Sequence, residues 1–249
     1  MEIGASFPSG GITAEVSNNM AMRPIFIPLL DGKRYVLERY VDFTWHSGFA
    51  KSQKQKSIRD LHEVAFREYG VRHPLEVSSK SEDRLGVALS SFNLKFETLR
   101  GRVLTVEAAF QGSKVFENGG PYKDIFDKHP MDAKRDERLR NSGSLVRFSF
   151  FGLDWELEPK TAFYDWLYIN ALIKNPQLAS EITDIDGFTD IEFNPEKSIN
   201  CQARSAALYC ALYHNNRLEF ALSSRENFIS LYPGRVSDPH TPGAVRYLI

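Results

Sequence analysis

The 249-residue chain predicts an α+β fold in a single domain, and three observations carry that prediction. Near the N-terminus Val41, Phe43 and Trp45 alternate with Asp42, Thr44 and His46, the period of a half-buried strand. Beyond residue 160 apolar residues recur at helical spacing instead, with Phe163, Trp166, Ile169 and Ile173 on one side of a run. No internal repeat or low-complexity tract divides the chain.

In order, residues 1–22 are rich in Gly, Ser, Asn and Pro without a period and read as a flexible leader. Residues 23–249 read as one domain, strand-rich over 23–80, with its core at about 77–232 and a proline-rich tail at 233–249. From Arg23 a short apolar run, the Asp31-Gly32 turn and the strand at 35–46 suggest an antiparallel hairpin. Residues 48–56 form a basic loop, with Lys51, Lys54 and Lys56 among Ser and Gln. Two readings stay open for it: a solvated linker, or a phosphate or nucleic-acid contact. Ser57 is the expected N-cap of a helix at 57–69 whose stripe is Ile58, Leu61, Ala65 and Tyr69, closed by Gly70. A strand follows at 74–79, then an ordered polar loop at 78–96 that holds Phe92, then a turn at Gly101.

The segment 104–122 predicts a helix with chemistry on one face. Thr105 caps it, Val106, Ala109, Phe110 and Ser113 face inward, and Gly119-Gly120-Pro121 stops it. Glu107, Gln111 and Lys114, at i, i+4 and i+7, fall within about 40° of one another. A solvated polar stripe and a functional face both fit that spacing. Residues 123–140 are densely charged with both signs and expected on the surface. A strand at 145–151 turns Val146, Phe148 and Phe150 one way. Helices follow at 160–174, from Pro176, and at 200–213, with an acidic stretch at 184–198 before the last.

Composition excludes several classes. The net charge of −1 gives no global field toward nucleic acid or membrane, so any such contact rests on a local patch. The two cysteines, Cys201 and Cys210, sit on different turns of one predicted helix and read as buried free thiols in a reducing compartment. No run approaches about 18 apolar residues, so neither a signal peptide nor a membrane span is expected, and the cytoplasm is the expected location. The six histidines are scattered without a metal-ligand spacing, and no cofactor or metal is expected. There is no nucleophile elbow and no phosphate loop. One anion site is open: a helix N-terminus near Asn200, with Ser198 and Lys197, against simple capping by Ser198 or Asn200.

The Glu107/Gln111/Lys114 face remains. Lysine is a nucleophile only when neutral, and desolvation lowers its pKa. On a continuous helix Glu107 lies about 10.5 Å along the axis from Lys114, too far for a tight ion pair. The two then reach opposite sides of one small reacting centre, amine as nucleophile and carboxylate as proton shuttle.

The block V-E-A-A-F-Q-G-S-K at 106–114 resembles the V-E-H-Y-F-Q-A-x-K segment of the NADAR (YbiA-like) family. L-G-V-A-L-S-S-F-N-L at 85–94 is similar to its Y-G-x-F-S-N-F-x-P stretch, and D-W-L-Y-I-N-A-L and S-I-N-C-Q-A-R-S-A-A-L resemble its closing blocks. The family's W-G segment stands here as F-T-D-I-E-F-N-P, and its His and Tyr after the Glu are Ala108 and Ala109. The phrases K-S-Q-K-Q-K-S-I, F-E-N-G-G-P-Y and E-F-N-P-E-K-S-I-N-C-Q-A-R-S look closer to the branch of NADAR antitoxins that accompany DarT-type toxins.

That resemblance implies a helical NADAR-like core behind an N-terminal antiparallel strand extension. It implies an N-glycosidase that removes ADP-ribose from guanine in single-stranded DNA, paired in function with a toxin that attaches it. Lys114 is the implied catalytic lysine and Glu107 the implied acid/base. Ser91, Phe92, Asn93, Gln111, Asp190 and Asn200 are implied to line the ADP-ribose pocket, and Lys51, Lys54 and Lys56 are candidate DNA contacts. Three rivals stay open: a housekeeping N-glycosidase on a small ribosyl phosphate, a non-catalytic ADP-ribose reader, and a protein that sequesters a toxin.

Overall fold

The structure, a computed structural model, describes residues 19–32, 34–196 and 198–232. The tail at 233–249, Lys197 and residues 1–18 of the expected leader lie outside the described residues.

Its first layer is a four-stranded sheet in the order β2-β1-β9-β3, built from Met20–Pro28 (β1), Val36–Thr44 (β2), Pro74–Glu76 (β3) and Gly187–Thr189 (β9). β1 pairs antiparallel with β2 and β9, and β3 pairs parallel with β9. The hairpin is as predicted, but its first strand starts at Met20, inside the stretch assigned to the leader. Neighbouring residues of a strand face opposite sides. Ile25 accordingly joins Val41 and Phe43 beneath helix α1 (Lys51–Tyr69), with Ile58, Leu61, Val64 and Ala65. Phe26 turns the other way, with Phe188, onto helix α8 (Gln202–His214), whose small face Ala203, Ala206 and Ala207 lets it lie close.

Helix α1 corrects the reading of the lysine stretch. It begins six residues before Ser57, because the intervening Lys and Gln residues are good helix formers. Ser57 is interior: its hydroxyl donates to the Gln53 carbonyl (3.2 Å) and accepts from the His46 N–H (2.9 Å). Val64 replaces Tyr69 on the buried stripe. Gly70 closes the helix at φ 71°, its N–H bonding the Phe66 carbonyl, as its sequence position predicts.

The second layer is aromatic. Helix α6 (Ala162–Ile173) is buried all round, as a helix at the centre of a core must be. It packs on α8 and on the three-stranded sheet β6-β7-β8, formed by Lys114–Phe116, Leu145–Phe150 and Leu153–Trp155. Phe148 stacks on Phe163 at 4.7 Å, and Trp155 meets Trp166 at 5.1 Å. Phe148 and Phe150 point inward together, but Val146, at the strand's start, is exposed. The tight turn through Phe151 and Gly152, both at positive φ, makes the β7–β8 hairpin that periodicity missed. Strands Lys95–Glu97 (β4) and Val103–Thr105 (β5) form a small ribbon turned at Gly101. Short helices α2 (Arg84–Ala88), α4 (Pro130–Arg135), α5 (Arg138–Asn141), α7 (Pro176–Glu181), α9 (Leu218–Ser223) and α10 (Arg225–Ile229) complete the shell, with a 3-10 turn at Lys123–Asp127. Both cysteines are buried and free.

Candidate active site

Helix α3 (Val106–Gly112) is one buried unit from end to end. Thr105 caps it, its side chain accepting the Ala108 N–H, as the sequence predicts. Its first turn is stitched to the 90–94 turn: Glu107 N–H donates to the Ser91 carbonyl (2.9 Å) and Val106 N–H to that of Leu94 (3.0 Å).

The predicted helix at 104–122 is therefore too long. It stops at Ser113, whose hydroxyl turns back to the Ala109 carbonyl at 2.6 Å. Lys114 opens β6, opposite Phe148 on β7. Val115 and Phe116 are strand formers beside an available partner, and sheet pairing outcompetes another helical turn there. The three-residue stripe thus holds for two: Gln111 Nε2 donates to Glu107 Oε1 at 2.9 Å, an i, i+4 bond. Gly120, at φ 88°, returns the chain onto the strand so tightly that a Cβ there would meet the Lys114 carbonyl oxygen at 2.3 Å.

Glu107 is buried, 6 % exposed, and both its oxygens are engaged, because Ser91 Oγ donates to Oε2 at 3.1 Å. Tyr164 of α6 stands in the same cluster. It is hydrogen-bonded to Ser91, and burial together with the Glu107 charge pushes its phenol well above the usual range.

Lys114 is half-buried, with Nζ 4.8 Å from the centre of the Phe110 ring. Burial lowers its pKa to about 8; the charge of Glu107 raises it, and that of Lys134 lowers it further. At pH 7 about one such amine in ten is neutral, against about one in three thousand for an ordinary lysine. The aromatic floor that excludes water is Phe110 with Phe148 (5.3 Å) and Tyr164 (5.0 Å, edge-on).

The other predicted pocket residues divide. Ser91 and Gln111 sit on Glu107. Phe92 is partly exposed under Lys134, whose Nζ is 5.3 Å from its ring centre. Asn93 points away into its own turn, its Nδ2 donating to the Val87 carbonyl and to Ser90 Oγ.

Asp190 is buried on the loop after β9, its Oδ1 accepting the N–H groups of Glu192 and Phe193. Burial, with the charge of Glu76 nearby, holds its carboxyl well above the carboxylate range. Gln202 ties it to the site. That side chain hydrogen-bonds Asp190, accepts the Ser91 N–H at 2.7 Å and donates to the Val77 carbonyl at 2.6 Å.

The acidic stretch at 184–198 thus contains β9 in the middle of the sheet. The helix expected from Asn200 begins after Cys201, so neither Ser198 nor Asn200 caps it. Asn200 instead holds a buried Oδ1 without a hydrogen-bond partner among the described residues. Lys197, the third member of that anion reading, lies outside the described residues.

Sequence reasoning missed Tyr164, Gln202 and Lys134. Gln202 lies in the S-I-N-C-Q-A-R-S-A-A-L block, whose spacing gives it no role. Tyr164 was one aromatic among several in α6, and nothing in its spacing separates it from core. Among the described residues no group of three or more His, Cys, Asp or Glu is set to hold a metal ion, and no helix is long and apolar enough to cross a membrane. A cavity of about 630 Å³ lined by Ile173, Tyr213, His214 and Leu218 opens at the other end of α8, roughly 17 Å along the helix from Gln202. It holds none of these groups.

A family model described as DarT1-associated NADAR antitoxin matches residues 21–241. No curated protein matches the chain.

Proposed function

The chain belongs to the DarT1-associated NADAR antitoxins, and on that premise we propose that it is an N-glycosidase that removes ADP-ribose from guanine in DNA. The observation that carries the reading is a half-buried lysine with a pKa near 8 beside a buried, fully engaged glutamate. An amine partly neutral at physiological pH is a nucleophile, and a glycosidic carbon is a target it can attack.

In this reading the lone pair of Lys114 Nζ attacks the anomeric carbon. The bond to the base nitrogen breaks and its electron pair leaves with guanine. The new secondary ammonium gives its proton to Glu107, which passes it to the departing nitrogen. The lysine glycosylamine opens to a Schiff base. Water adds to the imine carbon with Glu107 as base, and collapse frees ADP-ribose and the amine. Ser91 and Gln111 hold the carboxylate, while Phe92, Asp190 and Asn200 line the ADP-ribose side. Asn93 contributes through the turn it closes. The setting is cytoplasmic, which fits two free buried thiols, and the functional partner is a DarT-type toxin.

The test is incubation with a single-stranded oligonucleotide carrying ADP-ribosylguanine, followed by chromatography for ADP-ribose, with borohydride trapping in parallel. The wild type releases ADP-ribose and becomes labelled; Lys114→Ala does neither. Equal trapping in both removes Lys114 from the chemistry. Tight binding without release makes the protein a reader. Faster turnover of a small ribosyl phosphate than of the oligonucleotide makes it a metabolic glycosidase.

A further inference from the structure

The lysine stretch acquires a different meaning once α1 is seen to begin at Lys51. Immediately before it, Phe49 is fully solvent-exposed, the most exposed large apolar side chain among the described residues. It sits between Gly48, at φ 131°, and the N-cap Ala50. Lys51 and Lys56 are exposed on the helix that follows, but Lys56 lies about 160° around the axis from Lys54, on another face. Lys54 lies with Nζ 3.9 Å above the Trp45 ring, whose centre is also 5.3 Å from the Arg23 guanidinium. Among the described residues none of the three lysines has an acid within ion-pairing distance, and the first turn of α1 carries no acid. Positive charge at a helix N-terminus opposes the helix dipole, so the sequence holds these lysines there against a local cost. Arg23 is partly desolvated by burial and lies in the field of Glu192 and Glu196, on the loop that follows Asp190.

We propose that Phe49, with Lys51 and Lys54, is a docking track for single-stranded nucleic acid: an exposed ring stacks one base and the two lysines follow the phosphates beside it. A single strand fits because its bases are free to leave the stack and lie on an aromatic face, whereas a duplex hides them. Double-stranded DNA would use the lysines alone. The track rests on the proposed reading that the substrate is modified DNA, and it explains how a chain of net charge −1 engages a polyanion.

The experiment measures binding of unmodified oligothymidylate and of a duplex of equal length at several salt concentrations, and release of ADP-ribose from modified oligonucleotide and from modified free nucleoside. Phe49→Ala weakens oligothymidylate binding about tenfold, and Phe49→Trp restores it. Changing Lys51 and Lys54 together to Gln lowers the slope of log affinity against log salt by about 1.4. In both variants the ratio of oligonucleotide to nucleoside turnover falls. An unchanged affinity and slope, or equal binding of duplex and single strand by the wild type, overturns the track. Failure of the wild type to release ADP-ribose from either substrate overturns the glycosidase reading instead, and leaves the binding result to judge the track by itself.

Discussion

Glu107 is buried with a partner on each carboxylate oxygen, while Phe49, just ahead of α1, has its ring wholly in water. The floor beneath Lys114 is aromatic, made of Phe110, Phe148 and Tyr164. The floor beneath α1 is mainly aliphatic, made of Ile25, Val41, Val71 and Ile191 with Phe43, against which α1 sets Leu61 and Ala65. The difference has a physical sense. A nucleophilic lysine needs a dry, fixed surround to shed its proton. A capture surface needs exposed charge and a free ring, and asks of its own core only that it hold α1 in place.

Variants can separate the two regions. The largest effect belongs to Lys114→Arg, which keeps the charge and forbids a neutral amine; release of ADP-ribose should fall by about a thousandfold or more. In the wild type the rate should rise with pH through about 8, as the ammonium of Lys114 loses its proton. A rate flat from pH 6 to 9 would remove the amine from the rate-limiting step.

Leu61→Ala should cost about 3 kcal/mol in chemical denaturation, since the side chain is fully buried between α1 and the sheet. The alkaline midpoint of activity should stay where it is. A shifted midpoint would show that the two cores are one unit.

His62 offers a third probe, because its ring contacts Thr189 Oγ1 at 2.8 Å and burial lowers its pKa from 6.5 to about 4. Between those values the unfolded chain binds the extra proton, so stability is lost as pH falls from 6.5 to about 4 and no further below. Subtracting the curve of His62→Gln should expose a loss of about 3 kcal/mol in that window. The subtraction is needed because the raised carboxyls of Glu76 and Asp190 act in the opposite direction. Coincident curves would mean that the imidazole is solvated. The smallest effect is Phe110→Leu, which admits water beside Lys114 and should move the pH–rate midpoint alkaline by about half a pH unit.

Several elements were legible in the sequence because their signals are local. Thr105 caps α3, Gly70 ends α1, Pro176 opens α7, and Gly101 turns the chain where it was expected to, whereas Gly119 and Gly120 follow strand β6 rather than ending a helix. The Glu107–Gln111 pair follows from the helical repeat and is present as a hydrogen bond. The end of α3 was not legible. Gly112 and Ser113 are tolerable in a helix, and only the presence of β7 alongside makes Lys114 a strand residue. The start of α1 was missed for the reverse reason: a polar Lys/Gln run has no apolar period, and its helix is set by Ile58, Leu61 and Ala65 further on.

The sequence by itself determined the α+β class, the hairpin, the family and the two residues on which the chemistry is proposed to rest, since each is written in a local motif or a two- or four-residue period. Tertiary structure alone decided that β9 enters the middle of the sheet, that Gln202 joins Asp190 to Ser91 across more than a hundred residues, and that Tyr164 stands by Glu107. It also moved Lys114 from the helix that periodicity gave it to a strand over Phe110, where burial lowers its pKa. Desolvation is a property of what surrounds a group in space, and no spacing along a chain encodes it.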